Sequence, residues 1–148
     1  MPVIELDMLI ALVNREDDHH EIASKIFNAI SQGEIKNVAI AASALIEYEL
    51  ILRSRGYGDE DIAADIRSFT SIENMKEAPL TSEIILGALN LRVKYQLTYF
   101  DSLHAATAIL WDGVIISADK AYLRVRELKA VALEEMRLSN ESYKSRRI

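Results

Sequence analysis

Five acidic residues sit where they could do chemistry: Asp7, Glu47, Asp101 and Asp119, with Glu5 beside the first. Asp7 directly follows the short apolar stretch Val3 to Leu6, and Asp119 follows the run Val114 to Ser117 by two residues. Glu47 lies about one turn into a helical pattern that includes Ala44, Leu50 and Ile51. Asp101 opens a segment whose other residues are nearly all apolar or small. A carboxylate on an otherwise buried helix face is costly unless it is paired, hydrogen-bonded or metal-bound. Four acids gathered at one place repel and raise each other's pKa, so the cluster calls for a cation. Mg²⁺ and Mn²⁺ prefer oxygen ligands and retain water, which suits a site built from carboxylates. Each acid also has a plainer reading. Asp101 and Asp119 could be helix N-caps, Glu47 a surface residue and Glu5 a strand-end charge.

Other polar residues are weaker candidates. His19 and His20 point about a hundred degrees apart on a helix and cannot easily chelate one ion, so a structural role is expected. His104 lies one turn beyond Asp101 and reads as packed, or as a support to the site, rather than as a general base. Ser117 has no histidine at motif distance, which argues against a serine nucleophile. Lys120, Arg124 and Arg126, with Lys129, form the basic cluster near a candidate acid and could contact phosphate.

The elements that must carry these residues alternate. Val3 to Leu6 and Val38 to Ala41 read as buried strands, Asn74 to Ala78 as a weak one, Val114 to Ser117 as the clearest, and Ala130 to Leu133 as the last. Between them, a helix capped by Asp17 or Asp18 carries Ile22, Ile26, Phe27 and Ile30 and ends near Gly33. Ser43 is expected to cap a helix running to Arg55, and Asp59 to Phe69 forms another. Thr81 caps a longer helix with Ile84, Ile85, Ala88, Leu89 and Leu91 near one face. Asp101 to Trp111 makes a further helix, and a short one follows Asp119. Short apolar strands alternating with helices imply an α/β fold with a parallel sheet covered on both faces. Ligands in such folds bind beyond the carboxyl ends of the strands, the edge where Asp7 and Asp119 would meet.

Composition sets the outer bounds. The 148 residues suit one domain, with a polar, basic tail after about residue 135. The absence of cysteine excludes disulfides, zinc ribbons and thiol nucleophiles, and fits a reducing, cytoplasmic setting. No apolar run is long enough for a membrane span, and no signal peptide is recognisable at the N-terminus. The net charge of −6 argues mildly against a nucleic-acid partner. Bound cations would weaken that objection by inverting the local charge.

Three segments resemble the acidic motifs of PIN domains. Asp101-Ser102-Leu103-His104-Ala105-Ala106-Thr107-Ala108 looks like the third motif and Val114 to Tyr122 the fourth, with Ser117 in the hydroxyl position and Asp119 as the acid. Ser43-Ala44-Leu45-Ile46-Glu47 is similar to the second. The resemblance spans nearly the whole chain. It implies a Rossmann-like sheet, Mg²⁺ or Mn²⁺, and endonuclease action on RNA. Many microbial members are VapC-type toxins restrained by a small cognate antitoxin, and homodimers are common; Tyr48, Leu52, Tyr57 and Phe69 are the expected self-association surface. The first motif departs from the family pattern. Residue type favours Asp7 as its acid, whereas alignment to the following apolar helix start, Leu9 to Leu12, favours Glu5. The implied site is Asp7, Glu47, Asp101 and Asp119 as catalytic acids, with cations on Asp7, Asp101, Asp119 and Glu5. Ser117 would support these acids, and Lys120, Arg124 and Arg126 would hold substrate. Two other readings compete: a PIN-like protein-binding module with weak catalysis, and a phosphatase or phosphotransferase with a nucleophilic aspartate, of which Glu5-Leu6-Asp7 is a distant echo.

Overall fold

The computed structural model describes residues 1–136, so the expected basic tail lies outside the described residues. Five parallel strands form one sheet: β1 (Val3–Ile4), β2 (Ala39–Ala41), β3 (Lys76–Ala78), β4 (Val114–Ile116) and β5 (Lys129–Val131), in the order β3-β2-β1-β4-β5. β1 is central and pairs with both β2 and β4, Ile4 lying opposite Ile40 on one side and Ile116 on the other. All three isoleucines are buried, as strands covered on both faces require. Each such side chain contributes roughly 1.5–3 kcal/mol of burial free energy.

Among the described residues six α-helices connect the strands: α1 (Leu6–Val13), α2 (His20–Ser31), α3 (Ala42–Ser54), α4 (Asp59–Thr70), α5 (Ser82–Tyr95) and α6 (Tyr99–Trp111). A 3-10 turn, Lys120–Arg124, joins β4 to β5. The chain winds outward from β1 through β2 to β3, then crosses back to β4 on the other side of β1. With right-handed crossovers, that reversal sends helices to opposite faces of the sheet. It also opens a crevice where β1 and β4 end side by side, the switch point at which open α/β sheets bind ligands.

Several boundaries differ from those expected. β1 stops at Ile4, and Leu6 already belongs to α1, so Asp7 lies in the first turn of a helix rather than just past a strand. Leu6 to Val13 has no turn-forming residue to delay the helix, and its straight-chain apolar residues favour it. His19, not Asp17 or Asp18, takes the N-cap position of α2; Asp17 instead accepts from the His19 N–H at 2.8 Å. Ser43 is the second residue of α3, not its cap. Thr98 caps α6 and accepts from the Asp101 N–H, which puts Asp101 inside the first turn. Thr81 caps α5 as expected. The last strand is Lys129–Val131, one residue earlier and two shorter at its end than expected.

The expected association surface is largely internal. Tyr48, Leu52 and Phe69 are core residues, and only Tyr57 is exposed. Tyr48 packs edge-on against Phe69 at 5.0 Å between ring centroids and donates its hydroxyl to Asp65 at 2.6 Å. α4 therefore covers the aromatic face of α3 within the same chain. On α5, Ile84, Ala88 and Leu91 face inward, while Ile85, Leu86, Leu89 and Val93 are exposed.

Candidate functional site

The crevice between β1 and β4 holds the first- and fourth-motif residues. Glu5 immediately follows β1, occupies the N-cap position of α1 and is buried. Ser117 immediately follows β4. Its hydroxyl lies 2.9 Å from Glu5 Oε1 and 3.0 Å from Asp7 Oδ2, and it accepts from the Asp119 N–H at 2.9 Å. The Ala118 N–H donates to Asp7 Oδ2 at 2.7 Å. Glu5 and Asp7 thus converge on one hydroxyl across a strand-to-helix turn. A hydroxyl has one proton and can donate to only one carboxylate at a time. If the proton goes to Glu5, Asp7 Oδ2 still keeps the Ala118 N–H, so the unmet need of the cluster lies at the other oxygen of Asp7.

Asp7 carries the clearest sign of such a need. Its Oδ1 is buried without a hydrogen-bond partner among the described residues. Burial holds the carboxyl above its usual range despite the bonds from Ala118 and Ser117, and nearby Asp119 adds to the rise. An orphaned buried carboxylate oxygen is the environment a hard cation would relieve.

Asp101 and Asp119 meet this group around Tyr122. The buried Tyr122 hydroxyl donates to Asp101 Oδ1 at 3.3 Å. Its phenol is pushed above the ordinary value first by burial, then by the negative charges of Asp101, Asp7 and Asp119. One phenol is thus bonded to Asp101 of α6 and feels the charges of Asp7 from α1 and Asp119 from the β4 loop. Asp119 also follows its plainer reading, since its Oδ1 caps the 3-10 turn by accepting from the Ala121 N–H at 2.8 Å. Asp101, by contrast, caps nothing.

Glu47 is held from another side. On α3 it lies four residues after Ser43, and on α6 His104 lies three after Asp101, so each pair shares a helix face. His104 bridges the two helices, with Nε2 2.8 Å from Glu47 Oε1 and Nδ1 2.7 Å from Ser43 Oγ. The ring is fully buried and stacks on Phe100 at 6.1 Å.

Among the described residues, no three His, Asp or Glu side chains are already drawn together at metal-ligating distances. The acids line the crevice but do not close into a ligand set by themselves. Their chemistry fits a hard cation: carboxylate oxygens, one of them orphaned, beside a serine hydroxyl. Lys120, Arg124 and Arg126 are exposed on the turn after Asp119. His19 and His20 lie elsewhere, with His20 Nδ1 2.7 Å from the Ala11 carbonyl. Tyr122 was not singled out from the sequence as a site residue. Its place three residues after Asp119 was the available signal. The Ser43–His104 contact was equally hidden, though the two helical spacings foreshadow it.

Comparison with known proteins settles the family. The family model described as PIN domain matches residues 7–128. The chain belongs to the PIN-domain family. No curated protein sequence matches it. Among solved structures, the PIN-domain chain resembles VapC20 from Mycobacterium tuberculosis, described as a sarcin-ricin loop cleaving toxin. The TM-score is 0.69 at 15% identity, over 85% of this chain and 95% of that one. VapBC2 from Rickettsia felis bound to a promoter DNA fragment gives a TM-score of 0.68 at 13% identity, over 88% and 96%. A toxin–antitoxin complex from Klebsiella pneumoniae gives 0.64 at 18%, over 90% and 98%. At such identities the likeness is one of fold.

Proposed function

We propose that this PIN-domain protein is a metal-dependent endoribonuclease and the toxin component of a toxin–antitoxin pair. The observation that carries the reading is the partnerless, buried Oδ1 of Asp7 in a crevice shared with Glu5, Asp101 and Asp119. Membership of the family supports nuclease chemistry, and the toxin–antitoxin proteins of like fold support the biological role.

Asp7, Asp101 and Asp119, with Glu5, would hold one or two Mg²⁺ or Mn²⁺ ions. A bound ion of this kind supplies Lewis acidity toward the phosphate and lowers the pKa of its water. The residues of the chain do the rest. The Ser117 hydroxyl and the Ala118 N–H together hold Glu5 and Asp7 against the end of β4, and Ser117 accepts from the Asp119 backbone. Glu47, anchored by His104, orients water at the opposite wall. Lys120, Arg124 and Arg126 contact flanking phosphates.

The partners follow the same reading: RNA as substrate, a cognate antitoxin as inhibitor, and a second copy of the chain. The apolar surface for self-association lies chiefly on α5, where Leu86 is 66% and Val93 85% exposed, with Ile46 and Leu50 of α3 also exposed. No helix among the described residues is long and apolar enough to cross a membrane; the proposed place of action is the cytoplasm.

The deciding experiment compares wild type with Asp101→Asn on single-stranded or looped RNA in Mn²⁺ and in chelator. Cleavage by the wild type alone, and only with the ion, supports the proposal. Equal cleavage by both proteins would expose a contaminant. Binding of Mn²⁺ without any cleavage would turn the reading toward a protein-binding module, the alternative that the capping role of Asp119 favours. Replacing Lys120, Arg124 and Arg126 together with Ala should weaken RNA binding and leave Mn²⁺ binding intact.

A further inference from the structure

We propose that His104 is a positioning residue: as the Nε2–H tautomer, bridging Ser43 and Glu47, it fixes the Glu47 carboxylate relative to Asp101. The assignment follows from donors and acceptors. An ionised carboxylate only accepts, so the 2.8 Å contact to Glu47 Oε1 requires a proton on Nε2. In the neutral ring Nδ1 is then an acceptor, and the Ser43 hydroxyl, 2.7 Å away, must donate to it. Both nitrogens are engaged and the ring is fully buried, so it cannot turn without leaving a buried polar atom unpaired. Phe100 closes one face of the ring.

Helix geometry gives the bridge its purpose. His104 and Asp101 are three residues apart on α6, and Ser43 and Glu47 four apart on α3. The imidazole is the polar link between the two faces that bear these acids. Glu47 has a long, flexible side chain and is partly open to solvent, with 19% of it exposed. Left alone it would sample many rotamers. Held at Oε1 by a rigid, packed ring, it presents one arrangement to the crevice, the preorganisation a reacting site needs.

Two amide substitutions separate the two contacts. In His104→Gln the side-chain amide nitrogen reaches the place of Nε2 and can still donate to Glu47. In His104→Asn the shorter amide sits near the place of Nδ1 and cannot reach Glu47. With RNA and saturating Mn²⁺, the Asn variant should lose roughly 10- to 100-fold in kcat, as sub-ångström to ångström misplacement does. Its KM should hold within about twofold, and the Gln variant should recover most of the rate. Variants that melt alike but are impaired alike would overturn the proposal, because a merely structural histidine would not distinguish them. The activity arm rests on the ribonuclease reading, so a second measurement stands apart from it. Nitrogen-15 spectra of the wild-type imidazole should show a protonated Nε2 and an accepting Nδ1. Ser43→Ala should move the Nδ1 signal and Glu47→Gln the Nε2 signal. A wild-type ring protonated at Nδ1 alone would refute the bridge even if RNA is cleaved. The expected spectra from a protein that cuts no RNA would uphold the bridge and sink only the ribonuclease reading.

Discussion

Replacing Asp7 with asparagine should stabilise the cation-free protein while abolishing its response to divalent cations. Asp7 Oδ2 is well supplied with bonds, but Oδ1 is buried and unpartnered, and burial holds the carboxyl above its usual range. An acid with a raised folded-state pKa binds more protons folded than unfolded between its two pKa values. Its effect on stability is therefore most favourable at low pH, is lost as pH rises through that interval, and stays lost at neutral pH. Asparagine imitates the protonated form. Its amide oxygen can accept from the Ala118 N–H, and its amino group replaces the orphaned oxygen. A buried unsatisfied polar atom costs about 1–3 kcal/mol, and more when charged; since the amino group takes over an unpartnered position, only the added cost of the charge is relieved, a gain of about 1–2 kcal/mol. In a domain of this size each kcal/mol moves the melting temperature by about 2–4 °C, so the variant should melt ~2–8 °C higher in chelator. Mn²⁺ at a hundred times its Kd should raise wild-type stability by about 2.7 kcal/mol and that of the variant far less. Circular-dichroism melts at pH 7, with chelator and with Mn²⁺, test both halves. A variant that melts below wild type in chelator would refute the reasoning, because the ionised Asp7 would then be a net stabiliser of the fold.

Tyr48→Phe should cost about 1–2 kcal/mol in denaturant melts, since it removes the buried hydroxyl bond to Asp65. In the wild type, burial followed by Asp65 holds the Tyr48 phenol above its ordinary value, so it should resist ionisation in an alkaline absorbance titration. Glu127 is pulled down to about 2 by Lys94 and Tyr95, and a carbon-13 titration of its carboxyl should show Lys94→Met returning it toward the ordinary range. The sign is that of a depressed acid: the contribution is present above the ordinary carboxyl range and lost as pH falls through about 2. Because this group is exposed, the effect on melting should be small and should shrink in salt. Gly113 has φ +76, and an added Cβ would meet the Glu127 carbonyl at 3.3 Å, so Gly113→Ala should lower stability by about 1–2 kcal/mol through left-handed strain.

The alternation of strands and helices, and the edge at which the acids would gather, were legible because a parallel sheet leaves a simple pattern of short apolar runs. Boundaries were less so. Capping chemistry was inferred from whichever Ser, Thr or Asp stood near a helix start, and tertiary contacts redirected several of these. Ser43 turned from a cap into the hydroxyl partner of His104 because α6 packs against α3. Asp101 lost its capping role because Thr98, three residues earlier, supplies the oxygen. The choice between Glu5 and Asp7 could not be made from type or alignment, since both approach Ser117 across a turn too tight for either pattern to describe. The association surface was misplaced because no periodicity in α3 reveals that α4 folds back over Tyr48 and Leu52. Tyr122 and the His104 bridge depend on residues far apart in sequence, which spacing alone does not join.

The net charge of −6 is less of an obstacle to an RNA-cleaving role than it looks, because of where the charge lies. Several of the acids gather in the crevice at the β1/β4 switch point, where burial and then the charges of Asp101, Asp7 and Asp119 hold the Tyr122 phenol above its ordinary value. Without a cation that crevice repels phosphate. With one, on the proposed reading, the same carboxylates would become its ligands and the local sign would invert, while Lys120, Arg124 and Arg126 stand exposed just beyond. Cation and RNA would then each improve the other's binding by the same factor, since coupling between two ligands is reciprocal. The acidity that argued against a nucleic-acid partner thus becomes a means of selectivity. On that reading weak attraction elsewhere on the surface would limit capture of bulk nucleic acid, and firm attraction would arise only where the metal sits.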